Sequence, residues 1–452
     1  MTQNQDMTRG KPLKLLFFFA LPLMFGNVFQ QLYTVVDTAI VGQGVGMDAL
    51  AALGSVDWLN WMFLGIAQGF TQGFAVLVSQ KYGEKDLEGM RRVTGISAML
   101  SLWIALAVMA LGELGLPLLL MILRVPTELR GLASLYMRIL LGGFPAVMFF
   151  NYCSSVLRAV GDSSTPLRAM VTAALTNIVL DWVVVFQFGW GIAGAAGATV
   201  FSQCFSGFLC ARKIYRTPEL HFGREQMGLD LVLQRNLMGI GTPVAAKNIM
   251  ISLGGMVLQT IVNGFGMSFI AGFTATNKLY GLLETAAVSY GYAVTTYVGQ
   301  NYGAGQIQRI RTGVRAAVYL SIGTSVIIGA AMLLFGREIT SIFISSDVPE
   351  IAAAATDTAC LYLYVMSVCL PILYVLHVYL AALQGMGHTM LAMVAGIIEF
   401  GLRVGVSLAV GVTGYTLGIF GAEVAAWTGS VVFLMPWYYR KIREAGKTLK
   451  FP

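Results

Sequence analysis

Six polar side chains recur along one apolar stretch near the start of the chain: Asn27, Gln30, Gln31, Thr34, Asp37 and Thr38. With 3.6 residues per turn, their spacing puts them on one face of a helix. A later apolar stretch carries Asn177 and Asp181, again on one face, and the next carries Thr199, Ser202, Gln203 and Ser206. Two carboxylates with amide and hydroxyl neighbours offer hard oxygens to a small cation, or a place for a proton once the site is desolvated. Asn, Gln and Thr alone would make only a polar seam between helices. An aspartate in the same row points instead to a polar cavity, because a charge in the middle of an apolar helix needs a partner or water. The second half of the chain has its own charges in apolar stretches: Lys247, Lys278, Glu284, Glu399, Arg403 and Glu423. Glu399 and Arg403 stand four apart with the acid first, the favourable helical order, and are expected to form a buried structural ion pair.

Other reactive residue types are sparse and dispersed. His221, His377 and His388 have no metal-ligand or nucleophile-base spacing, and Cys153, Cys204, Cys210, Cys360 and Cys369 lie in apolar runs without a CxxC pair. No GxxxxGK[ST] phosphate loop is present. These observations argue against an enzyme, against direct ATP drive and against a bound cofactor, and leave the carboxylates to hold a small cation or a proton.

The elements that position these residues follow from composition. Hydrophobic residues make up 57% of the 452, and only 11% are charged, against about 25% charged in an ordinary soluble domain. A spanning helix needs about 20 mainly apolar residues. Runs of that kind recur from Leu13 to Tyr439 and give about twelve spans, the fourth centred near Pro145 and the eighth near Ser289. The lipid bilayer is therefore the expected partner. The first run, from Lys11 to Gly26, lacks a small-residue cleavage site and is taken as a helix that stays. The net charge of +7 does not imply nucleic acid, because most Lys and Arg sit in short joints between spans. Lys81, Lys85, Arg91, Arg92, Arg212, Lys213, Arg309, Arg311 and Arg315 mark the even joints, which places these and both termini on the cytoplasmic side. Pro22, Pro145, Pro243 and Pro371 are candidate kinks, and Gly65, Gly69 and Gly73 form a row suited to close helix approach.

The chain also repeats itself. Ser79-Gln-Lys-Tyr-Gly83 matches Gly299-Gln-Asn-Tyr-Gly303 at an offset of 220, Pro22 and Asn27 match Pro243 and Asn248 at 221, and Leu157-Arg-Ala-Val-Gly161 resembles Leu383-Gln-Gly-Met-Gly387. Two halves of about six spans each enter the membrane in the same sense, with the substrate path expected between them. The expected divisions are a first lobe over 1–212, a linker over 213–235 and a second lobe over 236–452.

Three stretches carry a family resemblance: Gln30-Gln-Leu-Tyr-Thr-Val-Val-Asp-Thr-Ala-Ile-Val-Gly42, Leu157-Arg-Ala-Val-Gly-Asp162 with Thr165-Pro166, and Asn177-Ile-Val-Leu-Asp181. With the repeat and the span count, the chain resembles multidrug and toxic compound extrusion (MATE) transporters over nearly its whole length. The resemblance implies an all-α membrane fold of twelve helices in two six-helix lobes around a V-shaped cleft. It also implies export of cationic or amphipathic small molecules across the cytoplasmic membrane in exchange for protons or sodium, by a monomer. Matched residue by residue, the family's cation-coupling site falls on Asp37, Asn177, Asp181 and Thr199, with Tyr33 and Tyr136 in its hydrogen-bond network beside Gln30, Gln31 and Thr34. Glu284, Glu399, Arg403 and Glu423 are the second-lobe candidates. One departure stands out: some members carry an acid early in the seventh helix, where this chain is apolar, near Ile251. Two other readings share part of the pattern. A flippase for lipid-linked oligosaccharides would need a more cationic cleft, and a channel would need a continuous pore.

Overall fold

A computed structural model of the chain describes residues 5–228, 230–343 and 349–448, and among them the regular structure is helical, without a strand. The α-helices are α1 (Pro12–Gly44), α2 (Met47–Glu84), α3 (Leu87–Ile122), α4 (Thr127–Gly142), α5 (Phe144–Ala159), α6 (Ser164–Trp182), α7 (Gly191–Tyr215), α8 (Leu231–Val262), α9 (Met267–Gly303), α10 (Ile307–Phe343), α11 (Pro349–Gly385), α12 (Thr389–Thr413) and α13 (Gly421–Thr448). Each expected span falls on a helix, and the extra helix arises because the fourth span is broken. α4 closes at Gly143, whose amide donates to Ile139 O at 2.9 Å, and α5 leaves at an angle of 46°. Pro145, at the start of α5, has no amide to continue the α4 ladder. Pro22, Pro243 and Pro371 lie inside continuous helices instead, so of these four prolines Pro145 marks a break.

Ten helices are long and apolar enough to cross a bilayer, and the bent α4–α5 pair makes an eleventh. α9 is as long as its neighbours, but Lys278, Glu284 and its Thr and Tyr residues keep it below the apolar threshold. A twelfth span therefore rests on its length and neighbours and not on its composition. Large apolar side chains point outward, with Leu114, Leu334 and Val412 exposed by 82%, 74% and 88%. In water such a surface would drive aggregation, whereas hydrocarbon solvates it.

The chain forms two compact units. Among the described residues, one comprises those up to Asp6 together with Leu21–Ala245, and the other Met7–Ala20 together with those from Ala246 onward. The expected linker, 213–235, thus belongs to the first unit, and the division falls further along, inside α8. Helix packing explains the position. Gly69 and Gly73 of α2 lie against the backbone of Ala245 and Gly241, so the first part of α8 belongs with the first unit. Two residues later the backbone of Lys247 lies against Gly396 of α12 in the second. α1 is divided in the same way. Before the helix, Met7 is buried and its amide donates to Gln300 Oε1 at 2.9 Å, while further along Gly26 seats against Leu167 and Met170 of α6.

A Cβ at Gly73 would stand 2.5 Å from Gly241 Cα, whereas at Gly115 it would meet nothing within 4 Å. Gly73→Val is therefore expected to lower the unfolding temperature of the purified protein, an overpacking cost of about 1–3 kcal/mol. Gly115→Val should leave it unchanged. Equal melting of the two variants would show that α2 and α8 are not in tight contact.

Candidate functional site

Two helices running side by side bring the paired acids together. Gly26 of α1 rests against Met170 of α6, and Asp37 and Asp181 each lie eleven residues, about three turns, further along. The two side chains meet face to face. They are deeply buried, Asp37 being 8% exposed and Asp181 fully enclosed, as is Asn177 one turn earlier on α6. Oδ1 of Asp37, both carboxylate oxygens of Asp181 and both polar atoms of the Asn177 amide have no hydrogen-bond partner among the described residues. Two ionised carboxylates offer each other only acceptors, so a proton or a small cation is what the pair can share. Immediately after Asp181 the helix widens into a π-helical turn over Val183–Gln187. Such turns recur at functional sites because they re-aim the residues around them.

A small pocket opens beside Asn177, lined by Gln30 and Tyr33 of α1, Asn177 of α6, and Thr199, Ser202 and Gln203 of α7. Tyr33 stands beside Gln30 and Gln203 and within electrostatic reach of both acids, and Tyr136 of α4 approaches the same pair. Asp37, Asn177, Asp181, Thr199, Tyr33, Tyr136 and Gln30 therefore converge. Gln31 and Thr34 do not. Gln31 is half-buried with no hydrogen bond to the acids, and Thr34 is exposed with its hydroxyl donating to Gln30 O of its own helix at 3.0 Å. Thr38 is similarly bonded to Thr34 O. An unbranched helical face was too coarse a criterion, because threonine hydroxyls readily satisfy themselves on the preceding turn. Asp57 of α2, close to Tyr136, is a residue that the spacing argument missed. Its signal was present, since it is an acid within an apolar run.

In the second unit the expected ion pair is replaced by another. Arg403 Nη2 on α12 donates to Glu423 Oε2 on α13 at 2.7 Å, with side chains only 5% and 12% exposed. Glu399 is not its partner at salt-bridge distance. α13 presents Glu423 across the helix interface, whereas Glu399, one turn away on the same helix, lies beside Ser430 and within electrostatic reach of Arg403 and Lys247. Arg403 Nη1 also donates to Ile251 O on α8 at 3.3 Å. Near Ile251, where the chain departs from some family members by being apolar, it is a backbone carbonyl that accepts from an arginine. Glu284 of α9 lies 3.8 Å from His377 Nε2 of α11. That approach was invisible in the sequence because the two residues lie far apart along the chain.

A twice-built set of bilayer-length helices, with unpaired acids buried near a small pocket, defines a membrane transporter. The chain belongs to the MatE family, whose model matches it twice, over residues 22–183 and 243–408. The two matches begin at Pro22 and Pro243, the same 221-residue offset that the internal repeat gives. The multidrug resistance protein PmpM of Pseudomonas aeruginosa is 27% identical over 447 residues, covering 93% of this chain and 90% of that protein. The probable multidrug resistance protein YpnP of Bacillus subtilis is 28% identical over 340 residues, 75% of this chain and 76% of its own. A crystal structure of MATE in complex with MaL6 superposes with a TM-score of 0.90 at 22% identity, covering 99% of this chain and all of that one, a likeness of fold.

Arg403→Met and Glu423→Gln should each destabilise the purified protein by about 3–5 kcal/mol, because each strands a buried charge, and the double change should recover most of the loss. Glu399→Gln should cost far less in the same unfolding measurement. Equal losses for Glu399→Gln and Glu423→Gln would restore Glu399 as the arginine's partner.

Proposed function

We propose that this transporter exports cationic or amphipathic small organic molecules from the cytoplasm in exchange for protons or sodium. It would act as a monomer in the cytoplasmic membrane with both termini inside. The observation that carries this reading is the pair Asp37 and Asp181, two buried carboxyls from different helices with no cationic residue paired to them. The donor set fits either ion. A proton bridges the two carboxyls, whereas sodium draws on their oxygens and on those of Asn177 and Thr199. The multidrug resistance names of PmpM and YpnP support the substrate class.

In this mechanism α1 and α6 respond to the charge between them. Occupied by an ion, the pair is neutralised and α1 can pack closely on α6. Emptied, two like charges in a poor dielectric repel, and the helix pair favours a different packing. An ion that prefers one packing shifts the equilibrium by its differential affinity and no more. The bilayer supplies the low dielectric, and the small pocket beside Gln30, Tyr33 and Gln203 has room for water.

Asp37→Asn and Asp181→Asn should leave the protein folded, because the amide keeps the shape and relieves the burial cost, while ion-driven export in liposomes falls to background. Equilibrium binding of substrate should persist. Efflux under separately imposed proton and sodium gradients identifies the coupling ion. Near-normal driven export by both variants would place coupling elsewhere.

A further inference from the structure

Charge within the second unit does not balance. Lys247, Arg403, Glu284, Glu399 and Glu423, from four helices, lie within electrostatic reach of one another. Two cations stand against three carboxylates. Arg403 is committed to Glu423 at 2.7 Å. Lys247 lies near Glu399 and Glu284 but makes no ion pair within 4.0 Å among the described residues. The remaining negative charge falls on Glu284, and the group at ion-pair distance from it among the described residues is a histidine and not a fixed cation: His377 Nε2, at 3.8 Å.

The imidazole's protonation is set by its other nitrogen. His377 Nδ1 lies 3.0 Å from Leu373 O, and a carbonyl can only accept, so Nδ1 carries the hydrogen. Nε2 of the neutral ring therefore turns a lone pair toward the carboxylate. Two acceptors face each other, and one proton, on either group, converts the contact into a hydrogen bond after an approach of about 1 Å. The remaining titratable groups about the pair are tyrosines, which add no charge: Tyr280 of α9, and Tyr374 of α11, whose hydroxyl donates to Leu283 O at 2.8 Å. The pair is also reachable. Glu284 is the eighteenth of the 37 residues of α9, yet its side chain is 34% exposed and that of His377 17%. A carboxylate at mid-helix with that exposure must face water, because hydrocarbon would not tolerate it.

The geometry points to a monovalent-cation site of the second unit, formed by Glu284 and His377, at which the positive group of an organic substrate replaces a proton. This deepens the proposed export of cationic molecules and rests on that reading for its physiological meaning, but the binding itself is separable. With the proton on, the pair contributes no net charge. With the proton off, it contributes one negative charge, which attracts a cation, and His377 no longer repels one. Cation affinity at this site therefore rises with pH, and a neutral ligand has no such dependence.

The test uses the full chain in nanodiscs with Asp37→Asn and Asp181→Asn already present, so that the first-unit acids are silent. Binding of tetraphenylphosphonium, a cation without a proton to lose, is measured between about pH 5 and pH 9, a range that brackets histidine titration. The affinity should rise with pH. Adding Glu284→Gln should weaken binding about tenfold or more at the upper end and flatten the profile. His377→Gln should keep the affinity at high pH and shift the profile, because Glu284 then holds its proton without a partner. Thermal unfolding of each variant confirms that it is folded. Tetraphenylphosphonium binding that is absent, independent of pH, or unaltered by Glu284→Gln in folded protein overturns the proposal. Loss of driven export by Asp37→Asn and Asp181→Asn is a separate result. If export survives those changes, the first-unit coupling fails while this binding site still stands or falls on its own profile.

Discussion

The cost of an uncompensated charge in hydrocarbon organises this molecule. An ionised side chain at the centre of a spanning helix costs about 2.5–3.5 kcal/mol even on the mildest scales, so every one of them must face a partner, a cavity or water. The two units meet this demand differently. In the first, Asp37 and Asp181 face each other with no fixed cation, and a small pocket opens beside Asn177. In the second, Arg403 neutralises Glu423 directly and is held further by Ile251 O. The first arrangement depends on an exchangeable ion for its charge balance, whereas the second builds most of its compensation into the chain.

The repeat makes this contrast interpretable. The offset of 226 that relates Leu157 to Leu383 also relates Asn177 to Arg403 and Asp181 to Ser407. The offset of 221 relating Pro22 to Pro243 pairs Asp37 with Leu258. Both acids of the first pair are therefore missing from the second half, and an arginine stands where the first half has its unsatisfied amide. Helix lengths are repeated, while the buried ionisable groups are not, and at the offset of 220 Gly69 and Gly73 correspond to Ser289 and Ala293. A duplicated scaffold tolerates this because helix packing depends on small residues at the contacts, and in the second half two of those, Gly254 and Gly396, make room for Arg403 and Lys247.

Sharing of helices between the units has a similar origin. Connectivity would cut the chain at its polar linker, but a continuous helix can belong to two packing environments in succession. α8 lies against Gly69 and Gly73 of α2 before its midpoint and against Gly396 of α12 after it. The repeated Gly-Gln-Asn-Tyr-Gly stretch has a structural task at the beginning of the chain. Gln300 Oε1 accepts from the Met7 amide, and Asn301 Nδ2 donates to Met7 O at 3.0 Å, where Arg309 donates as well. These bonds tie down a backbone segment that precedes the first helix and has no helical partners of its own.

The membrane class, the placement of the spans, the duplication and the identity of the first-unit acids were all determined by the sequence alone. Each rests on a local property, either apolar run length, helical spacing or a repeated string, and those survive without knowledge of packing. A missing amide does not by itself decide the bend at Pro145, since Pro22, Pro243 and Pro371 lack one too and lie inside continuous helices. Tertiary structure decided which polar groups meet. It seated Asp37 on Asp181 through the parallel course of α1 and α6, turned Thr34 outward, and drew Arg403 to Glu423 and away from Glu399. It also brought His377 to Glu284 from 93 residues away. Spacing along one helix says which side chains share a face. Which neighbour that face meets depends on the close approach of other helices, and that approach is set by glycines and small residues whose partners lie elsewhere in the chain.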